Sequence, residues 1–207
     1  MRITKIEQQI KNIKRYNIYI DGEYRFSVES DILQELCLSE GMELNETEFN
    51  KTLETIQYKG ALRAALYMLA RASKTEKEIE RRLCEKQHDS KAIKRAVQYL
   101  KKIGYINDES YAESYIRAIK GTTGASRRSI YQKLFSKGID KEIIKQKLDE
   151  AEMDDYESAA IAARKKAPYL KGSSREKRIK LLNFLYRKGF GIDACIKAAE
   201  ELGFDED

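Results

Sequence analysis

The chain has 207 residues, of which 36% are charged and 42% hydrophobic, with one proline and no tryptophan. This balance is typical of a soluble, helix-rich protein, and the chain is long enough to bury a core. Because no apolar run approaches the roughly 18 residues of a bilayer span and the N-terminus lacks the apolar core of a signal peptide, we expect a cytoplasmic protein.

The formal net charge is +6, and it is unevenly distributed. Residues 1–60 carry 8 basic against 11 acidic side chains, whereas residues 61–108 carry 12 against 6. From Arg164 to Lys188 there are ten basic residues, opposed by Glu176 alone. Such a cluster is either a solvated face or a contact for a polyanion, because grouped lysines and arginines neutralise phosphates and release counterions.

The first 60 residues follow a strand-rich pattern. Apolar residues alternate on both sides of Asp21-Gly22, a dipeptide that suits a two-residue type I′ hairpin turn, and residues 3–9 predict a third strand. Residues 29–44 then predict a short helix that stops near Gly41. Residues 45–72 predict a helix with Gly60 as the place for a bend.

Three segments beyond residue 60 align at a fixed offset of 51 residues without a gap. Apolar residues coincide at positions spaced by four and then three, which is the period of one helix face. The pattern predicts a mainly α protein with three tandem three-helix repeats in an elongated, curved array. The predicted domains are the N-terminal extension 1–60 and the repeats 61–108, 109–153 and 154–207. The aligned sets include Leu83, Leu134 and Leu185, and Ile93, Ile144 and Cys195.

Turn and capping residues divide each repeat into helices. Thr75 suits the start of a second helix, while Gly138 and Gly189 suit left-handed helix ends. For the third helices the candidate caps are Asp89 or Ser90, Asp140 and Asp193.

The stretch IGYINDESY, which begins at Ile103, admits two interpretations. Its acids resemble the corner of a metal site, but a calcium loop needs alternating oxygen ligands over about twelve residues and a bidentate Glu, which are absent. We therefore expect Gly104 to end one repeat and Asn107 or Asp108 to cap the next, with Asp108 and Glu109 in a favourable first turn.

A direct search for catalytic or metal motifs finds none. GxSxG, Walker-type, HExxH and CxxC patterns are missing, and the single histidine, His88, is expected to be a solvated surface residue. The cysteines Cys37, Cys84 and Cys195 are odd in number and far apart, so we expect small core side chains rather than disulfides. The sequence predicts neither an enzyme nor a cofactor.

The segments ALRAALYMLARASKTEKEIERRLCEK, VQYLKKIGYINDESYAESYIRA and IYQKLFSKGIDKEIIKQKL, in that order, resemble the RecX family of bacterial regulatory proteins. The resemblance covers about residues 61–203, including the Gly-Tyr-Ile-Asn-Asp junction at 104–108. The leader, with Asp21-Gly22 between strands and Gly41-Met42 before a helix, is similar to the N-terminal extension of Gram-positive members.

The resemblance implies a regulator of the RecA recombinase. Family members bind the RecA filament on single-stranded DNA, lie in its groove, and limit filament growth, ATP hydrolysis, strand exchange and associated SOS functions. It implies RecA and single-stranded DNA as partners, no membrane, and a monomer. Two other classes stay open: a stand-alone helical-repeat DNA-binding protein, and a protein-protein scaffold that ignores DNA.

Basic residues in the segments between helices are the predicted contact face for RecA or DNA. Tyr67, Tyr99, Tyr111 and Tyr115 stand at helical spacing among apolar residues, so we expect them to be core or half-buried rather than stacking platforms for bases. The candidate contacts are Arg71, Lys74, Lys120, Arg127, Arg128, Arg164, Lys165, Lys166, Lys171, Arg175, Lys177 and Arg178.

Overall fold

A computed structural model describes residues 1–204 of the chain. Within them the backbone forms three strands and ten α-helices, which confirms the mainly α class with a small N-terminal sheet. The chain divides into two compact units: the first consists of residues 1–74 and 79–106, and the second of residues 75–78 and 107 onward. No helix in the described span is long and apolar enough to cross a membrane.

The N-terminal sheet is antiparallel, with its strands in sequence order: β1 (Ile3–Gln8), β2 (Arg15–Ile20) and β3 (Glu23–Glu29). Strands β2 and β3 are joined by Asp21 and Gly22, whose φ angles are 51° and 86°. A type I′ turn requires positive φ at both central residues, so the predicted hairpin and third strand are confirmed.

Two helices follow the sheet, and the first is shorter than expected. The first, α1 (Ser30–Glu35), ends well before Gly41 because Cys37 adopts a left-handed conformation with φ 50°. The second, α2 (Glu46–Leu69), runs unbroken through Gly60. An interior glycine costs a helix about 1 kcal/mol relative to alanine, which packing on both sides of Gly60 offsets.

Helices α3 (Glu76–Glu85) and α4 (Ser90–Lys102) complete the first repeat. The helix α2 supplies apolar side chains to three clusters, of which the smallest joins Ala61 to Ala92 and Ala96 of α4. The cluster beneath the sheet contains Ile3, Ile18, Ile20, Val28, Ile32, Leu38, Leu44 and Ile56. The cluster of the first repeat contains Ala65, Met68, Ile79, Leu83, Ile93, Val97, Leu100 and Ile106.

The second and third repeats are built from three helices each, as predicted. Each repeat encloses its own apolar cluster, one around Leu134 and the other around Leu185. The helices are α5 (Asp108–Ile119), α6 (Arg127–Ser136), α7 (Lys141–Glu150), α8 (Asp155–Lys166), α9 (Ser174–Arg187) and α10 (Ile192–Glu200).

The aligned positions are buried in all three repeats. Leu83, Leu134 and Leu185 each have 0% relative exposure, and the set that begins with Ile93 is also buried.

The three cysteines differ in burial. Cys195 is buried at an aligned position, but Cys37 and Cys84 are exposed, so the expectation of core cysteines is wrong for those two. Cys37 stands in the left-handed turn after α1, which places it outside the helical pattern.

Most predicted caps are confirmed. Asp89 and Asp140 accept backbone N–H groups at the starts of α4 and α7, and Asn107 accepts from Ser110 N at 2.9 Å. Asp193 is not a cap, because α10 begins one residue earlier, with Gly191 in the capping position. Asp193 falls in the first turn instead, where a negative charge favours the helix dipole.

The same type of hydrogen bond occurs twice, once at the start of α3 and once at the start of α6. Thr75 and Ser126 both have 0% exposure, and each donates its hydroxyl to a backbone carbonyl 62 residues later, at Lys137 and Lys188 respectively. Both bonds measure 2.7 Å and lie inside the second unit. Each hydroxyl therefore has two roles. It caps the helix that follows it, and it donates to a carbonyl at the end of the second helix of the next repeat.

Carboxylates at the starts of first helices complete these junctions. Asp108 accepts the backbone N–H of Glu76, and Asp155 accepts that of Arg127, both at 2.9 Å. The acids of IGYINDESY therefore serve as a helix start and as a junction acceptor. The sequence indicated only the first of these roles.

Gly138 and Gly189 follow the accepting carbonyls and allow this approach. A Cβ on Gly138 would overlap the side-chain stem of Lys77, and one on Gly189 would lie 3.0 Å from Ser126 Oγ. The first repeat has Gln87 at the same position, also with positive φ. The glycines are therefore needed for close packing between repeats as well as for their backbone conformation.

Candidate functional site

The candidate basic residues are divided between the units, with Arg71 and Lys74 in the first and the others in the second. Arg71 lies over the ring of Tyr67, with its Cζ 4.3 Å from the centroid, and donates to the tyrosine hydroxyl. Tyr67 is 58% exposed, so the pair presents a cation and an aromatic face to solvent.

Arg127 is largely engaged within the fold. Its guanidinium donates to the carbonyl of Leu148 at 3.0 Å and pairs with Asp149, which ties α6 to the end of α7. Its charge is therefore partly compensated before any partner arrives. Among the candidates it is better suited to hold the repeat together than to bind phosphate.

Four further candidates make contacts inside the second unit. Those contacts reduce the freedom of each side chain, but among residues 1–204 three of the four cations have no carboxylate partner. They are Lys120 Nζ to Ala151 O (2.5 Å), Lys165 Nζ to Thr122 O (2.6 Å), Arg164 to Glu201 (3.4 Å) and Lys166 Nζ over the Phe184 ring (5.5 Å).

Within residues 1–204, Arg128, Lys171, Arg175 and Lys177 have no acidic partner. The first three of these are exposed, and Lys177 is half-buried, as is Arg178. An exposed cation that has no internal counter-charge is not neutralised within the fold, so it can attract an anionic ligand. These side chains are accordingly the strongest of the sequence-predicted contacts.

A cleft of about 410 Å³ lies between α6 and the C-terminal end of α9. No acidic residue lines it, and three cations do, so its field favours anions. The Ser126–Lys188 hydrogen bond holds its two walls together. Its polar and aromatic lining consists of Arg128, Ser129, Gln132, Tyr186, Arg187, Lys188 and Phe190.

Sequence reasoning missed Tyr186, Arg187 and Lys188 as site residues. The 51-residue alignment contains a signal for them, because Phe135 and Tyr186 occupy the same repeat position. Both are exposed, at 59% and 67%, which is unusual for large aromatic rings. An aromatic ring beside cations is an arrangement that suits single-stranded nucleic acids, since bases stack on the ring while phosphates meet the charges.

The four tyrosines considered earlier divide into two pairs. Tyr111 and Tyr115 are half-buried against the core of the second repeat, as predicted, and burial raises the pKa of the Tyr115 hydroxyl. Tyr67 and Tyr99 are 58% and 44% exposed, so the prediction is wrong for them. They lie on the outward faces of α2 and α4, which the apolar spacing alone did not distinguish.

His88 is half-buried rather than solvated, contrary to the expectation. Burial lowers its pKa, and the nearby charges of Lys86 and Arg15 lower it further. In the part of the chain described, no group of three or more His, Cys, Asp or Glu side chains is arranged to hold a metal ion.

The lowered pKa of His88 predicts that the free energy of unfolding depends on pH. A histidine whose pKa is lower in the folded state stabilises the fold fully above its ordinary value of 6.5, and that contribution is lost as the pH falls below it. We expect urea denaturation of the first unit to require less denaturant at acidic pH, and His88→Gln to reduce this dependence. An equal pH dependence in the variant would assign it to other groups.

Sequence comparisons agree with this architecture along almost the whole chain. Family models match in order: the regulatory protein RecX N-terminal domain at residues 1–45 and the first, second and third RecX three-helix domains at 61–100, 107–148 and 153–198. The chain belongs to the RecX family.

Curated RecX proteins match at nearly full length. Regulatory protein RecX of Clostridium perfringens (strain SM101) is 30% identical over 209 residues, which cover 99% of this chain and 98% of that protein. Regulatory protein RecX of Bacillus subtilis (strain 168) is 30% identical over 207 residues, covering 99% of this chain and 78% of the relative.

Two solved RecX structures share the fold. A crystal structure of regulatory protein RecX superposes with a TM-score of 0.69 at 29% identity, covering 96% of this chain and 98% of the other. RecX from Lactobacillus salivarius gives a TM-score of 0.63 at 30% identity over 72% of this chain. The arrangement of a sheet followed by three-helix repeats is thus that of known RecX proteins.

Proposed function

We propose that this RecX family protein regulates the RecA recombinase by binding the RecA filament on single-stranded DNA, within the filament groove. In that position it limits filament growth, ATP hydrolysis and strand exchange, and with them the SOS response. Membership of the RecX family over almost the whole chain is the observation that carries the proposal. The partner implies action in the cytoplasm, where bacterial DNA lies.

The acid-free cleft between α6 and α9 supports a direct contact with the DNA of the filament. Arg128 and Arg187 line it with no carboxylate to compete, so phosphate oxygens would be their first counter-charges. Tyr186 offers an exposed ring beside them for a base. The exposed Lys171 and Arg175 lie before and within the start of α9, at the opposite end of that helix from the cleft, and would form a separate contact.

The proposal is tested by titrating this protein into RecA from the same source on single-stranded DNA while ATP hydrolysis is measured. We expect the rate to fall at substoichiometric protein, because a molecule in the groove blocks extension beyond its position. An unchanged rate on a demonstrably active filament would remove the inhibitory form of the proposal. Tight binding to naked DNA at physiological salt without any effect on RecA would favour a stand-alone DNA-binding protein.

Charge reversal within the cleft gives a residue-level prediction. We expect Arg128→Glu with Arg187→Glu to weaken inhibition by about tenfold and to flatten the salt dependence by about 0.7 in log–log slope for each lost phosphate contact. The matched control is Arg117→Glu with Lys145→Glu, which changes charge equally at positions that are 72% and 57% exposed and do not line the cleft. Equal losses in both variants would mean that only net charge matters.

A further inference from the structure

Helix α6 carries a stacked pair of aromatic rings at its surface. The rings of Tyr131 and Phe135 are nearly parallel, with an interplanar angle of 10° and centroids 6.1 Å apart. Tyr131 is half-buried against the core of the second repeat, whereas Phe135 is 59% exposed. The inner ring therefore supports the outer one, and most of the Phe135 ring is left to solvent.

The exposed ring lies on the same side of α6 as the cleft between α6 and α9. Arg128 and Gln132 line that cleft, and Phe135 follows them at the spacing i, i+4, i+7. Seven helical residues make almost two full turns, so Phe135 falls within about 20° of the direction of Arg128 and about 10 Å further along the helix. The cleft and the exposed ring thus share one face of α6.

The two helices that form this face carry almost no negative charge. Residues 120–139, which include α6, contain no Asp or Glu, and neither do residues 177–192, which include α9 beyond its first turn. Two acids that approach the ends of α6 are already bonded: Glu78 pairs with Lys137, and Asp155 accepts the backbone N–H of Arg127. Because Arg128 is exposed on this face, an approaching anion meets a cation there first.

The repeat pattern supplies a second ring of the same kind. Tyr186 stands 51 residues after Phe135, lines the cleft from α9 and is 67% exposed. The first repeat has Cys84 at this position, so only the second and third repeats have a ring there. Both rings belong to the second unit, together with the exposed guanidinium groups of Arg128 and Arg187.

We propose that this face holds single-stranded DNA by its bases as well as by its phosphates, with one base stacked on Phe135 and another on Tyr186. The phosphates of the same strand meet Arg128 and Arg187. Bases in a duplex are stacked on one another, so rings used in this way select single strands. The inference rests on the function proposed above, but it is tested without RecA, so that either can fail while the other holds.

Anisotropy of a fluorescein-labelled oligo-dT, measured with this protein alone, tests the stacking. We expect Phe135→Leu and Tyr186→Leu each to weaken binding by about tenfold, which corresponds to about 1.4 kcal/mol. Leucine suits a helix and keeps an apolar side chain, but it offers no ring face to a base. The salt dependence of the affinity should stay as in the wild type, because neither ring neutralises a phosphate.

Tyr156→Leu is the matched control. Tyr156 belongs to the same unit and is 44% exposed, but it does not line the cleft, and Lys197 Nζ lies 4.7 Å from its ring centroid. Its neighbours in the sequence are acidic, which disfavours a phosphate there. We expect this variant to bind oligo-dT as the wild type does. A tenfold loss in the control as well would mean that the position of the ring is irrelevant and would overturn the inference.

An abasic oligonucleotide separates the bases from the phosphates. It keeps every charge of the strand, so the wild type and Phe135→Leu should bind it equally. Three results would overturn the inference: an equal loss on the abasic strand, an unchanged affinity of both ring variants for oligo-dT, or no saturable binding of oligo-dT at low salt.

A fluorescent variant reports on the stacking itself. The chain has no tryptophan, so Phe135→Trp places a single indole at the site. We expect this variant to keep wild-type affinity, and its emission to be quenched by oligo-dT but not by the abasic strand. Inhibition of RecA with unquenched emission would remove the stacking and leave the proposed function intact. Quenching without any effect on RecA would keep the stacking and remove that function.

Discussion

Replacing Gly124 with alanine is expected to destabilise the second unit by about 2 to 4 kcal/mol. Gly124 has φ 64°, and a Cβ there would lie 2.6 Å from the backbone nitrogen of Ala162 and 2.9 Å from its Cα. Those atoms belong to the middle of α8 and cannot move without shifting a helix that is packed against its own core. Urea denaturation followed by circular dichroism measures the loss.

Gly121, three residues earlier, is the matched control. Its φ is 70°, but nothing lies within 4 Å of the position that a Cβ would take. Gly121→Ala therefore carries only the backbone cost of a left-handed alanine, about 1 kcal/mol. Equal losses in the two variants would show that the close approach of Gly124 to α8 contributes nothing to stability.

Removing the hydroxyl of Ser126 is expected to cost about 2 to 3 kcal/mol. The side chain accepts the N–H of Ser129, so its loss uncaps α6, and it also leaves the carbonyl of Lys188 without this donor. Ser126→Thr should retain most of the stability, because threonine makes the corresponding bond at Thr75. Thermal and urea unfolding of the alanine and threonine variants test both statements.

Ser173→Ala provides the comparison for the cap alone. Ser173 caps α9 in an exposed capping box, in which its side chain and its backbone N–H both bond to Glu176. We expect a loss of about 1 kcal/mol, which is the usual cost of an N-cap. A loss as large as that of Ser126→Ala would contradict the energetic role assigned to the Lys188 carbonyl.

Local periodicity was sufficient to predict the repeats. The spacing that joins Leu83, Leu134 and Leu185 follows from helix geometry, and each of these side chains is buried. The caps Asp89, Asn107 and Asp140 could be predicted equally well, because each side chain accepts a backbone N–H from a residue only two or three positions away. The prediction for Asp193 failed for the same local reason: α10 begins at Ile192, and its N-cap is Gly191, two residues before Asp193.

Contacts between distant parts of the chain could not be predicted in this way. The Ser126 hydroxyl meets a carbonyl 62 residues later, and a carbonyl is present at every position, so no sequence pattern identifies it. The cleft between α6 and α9 depends on this junction. For that reason the sequence indicated Arg128 but not Arg187 and Lys188, although the charge run contained both.

Charge density likewise did not distinguish an arginine that is bonded within the fold from one that lines a cleft. Arg127 and Arg128 are adjacent in a basic segment, yet Arg127 is bound to Leu148 and Asp149 while Arg128 points into an acid-free cleft. One helical step of 100° separates their directions, which turns one arginine toward α7 and the other toward α9. Helix geometry therefore assigns different roles to two residues that composition treats alike.

The junction hydroxyls make the repeats exchangeable modules. Their acceptors are main-chain carbonyls, so each junction uses a buried serine or threonine on one side and, on the other, a glycine-containing turn together with the aspartate that begins the first helix. Surface side chains can then diverge while the stacking persists. A chimaera that carries the third repeat of a relative should assemble if these features are kept, which makes grafting between species a practical way to trace partner preference to one repeat.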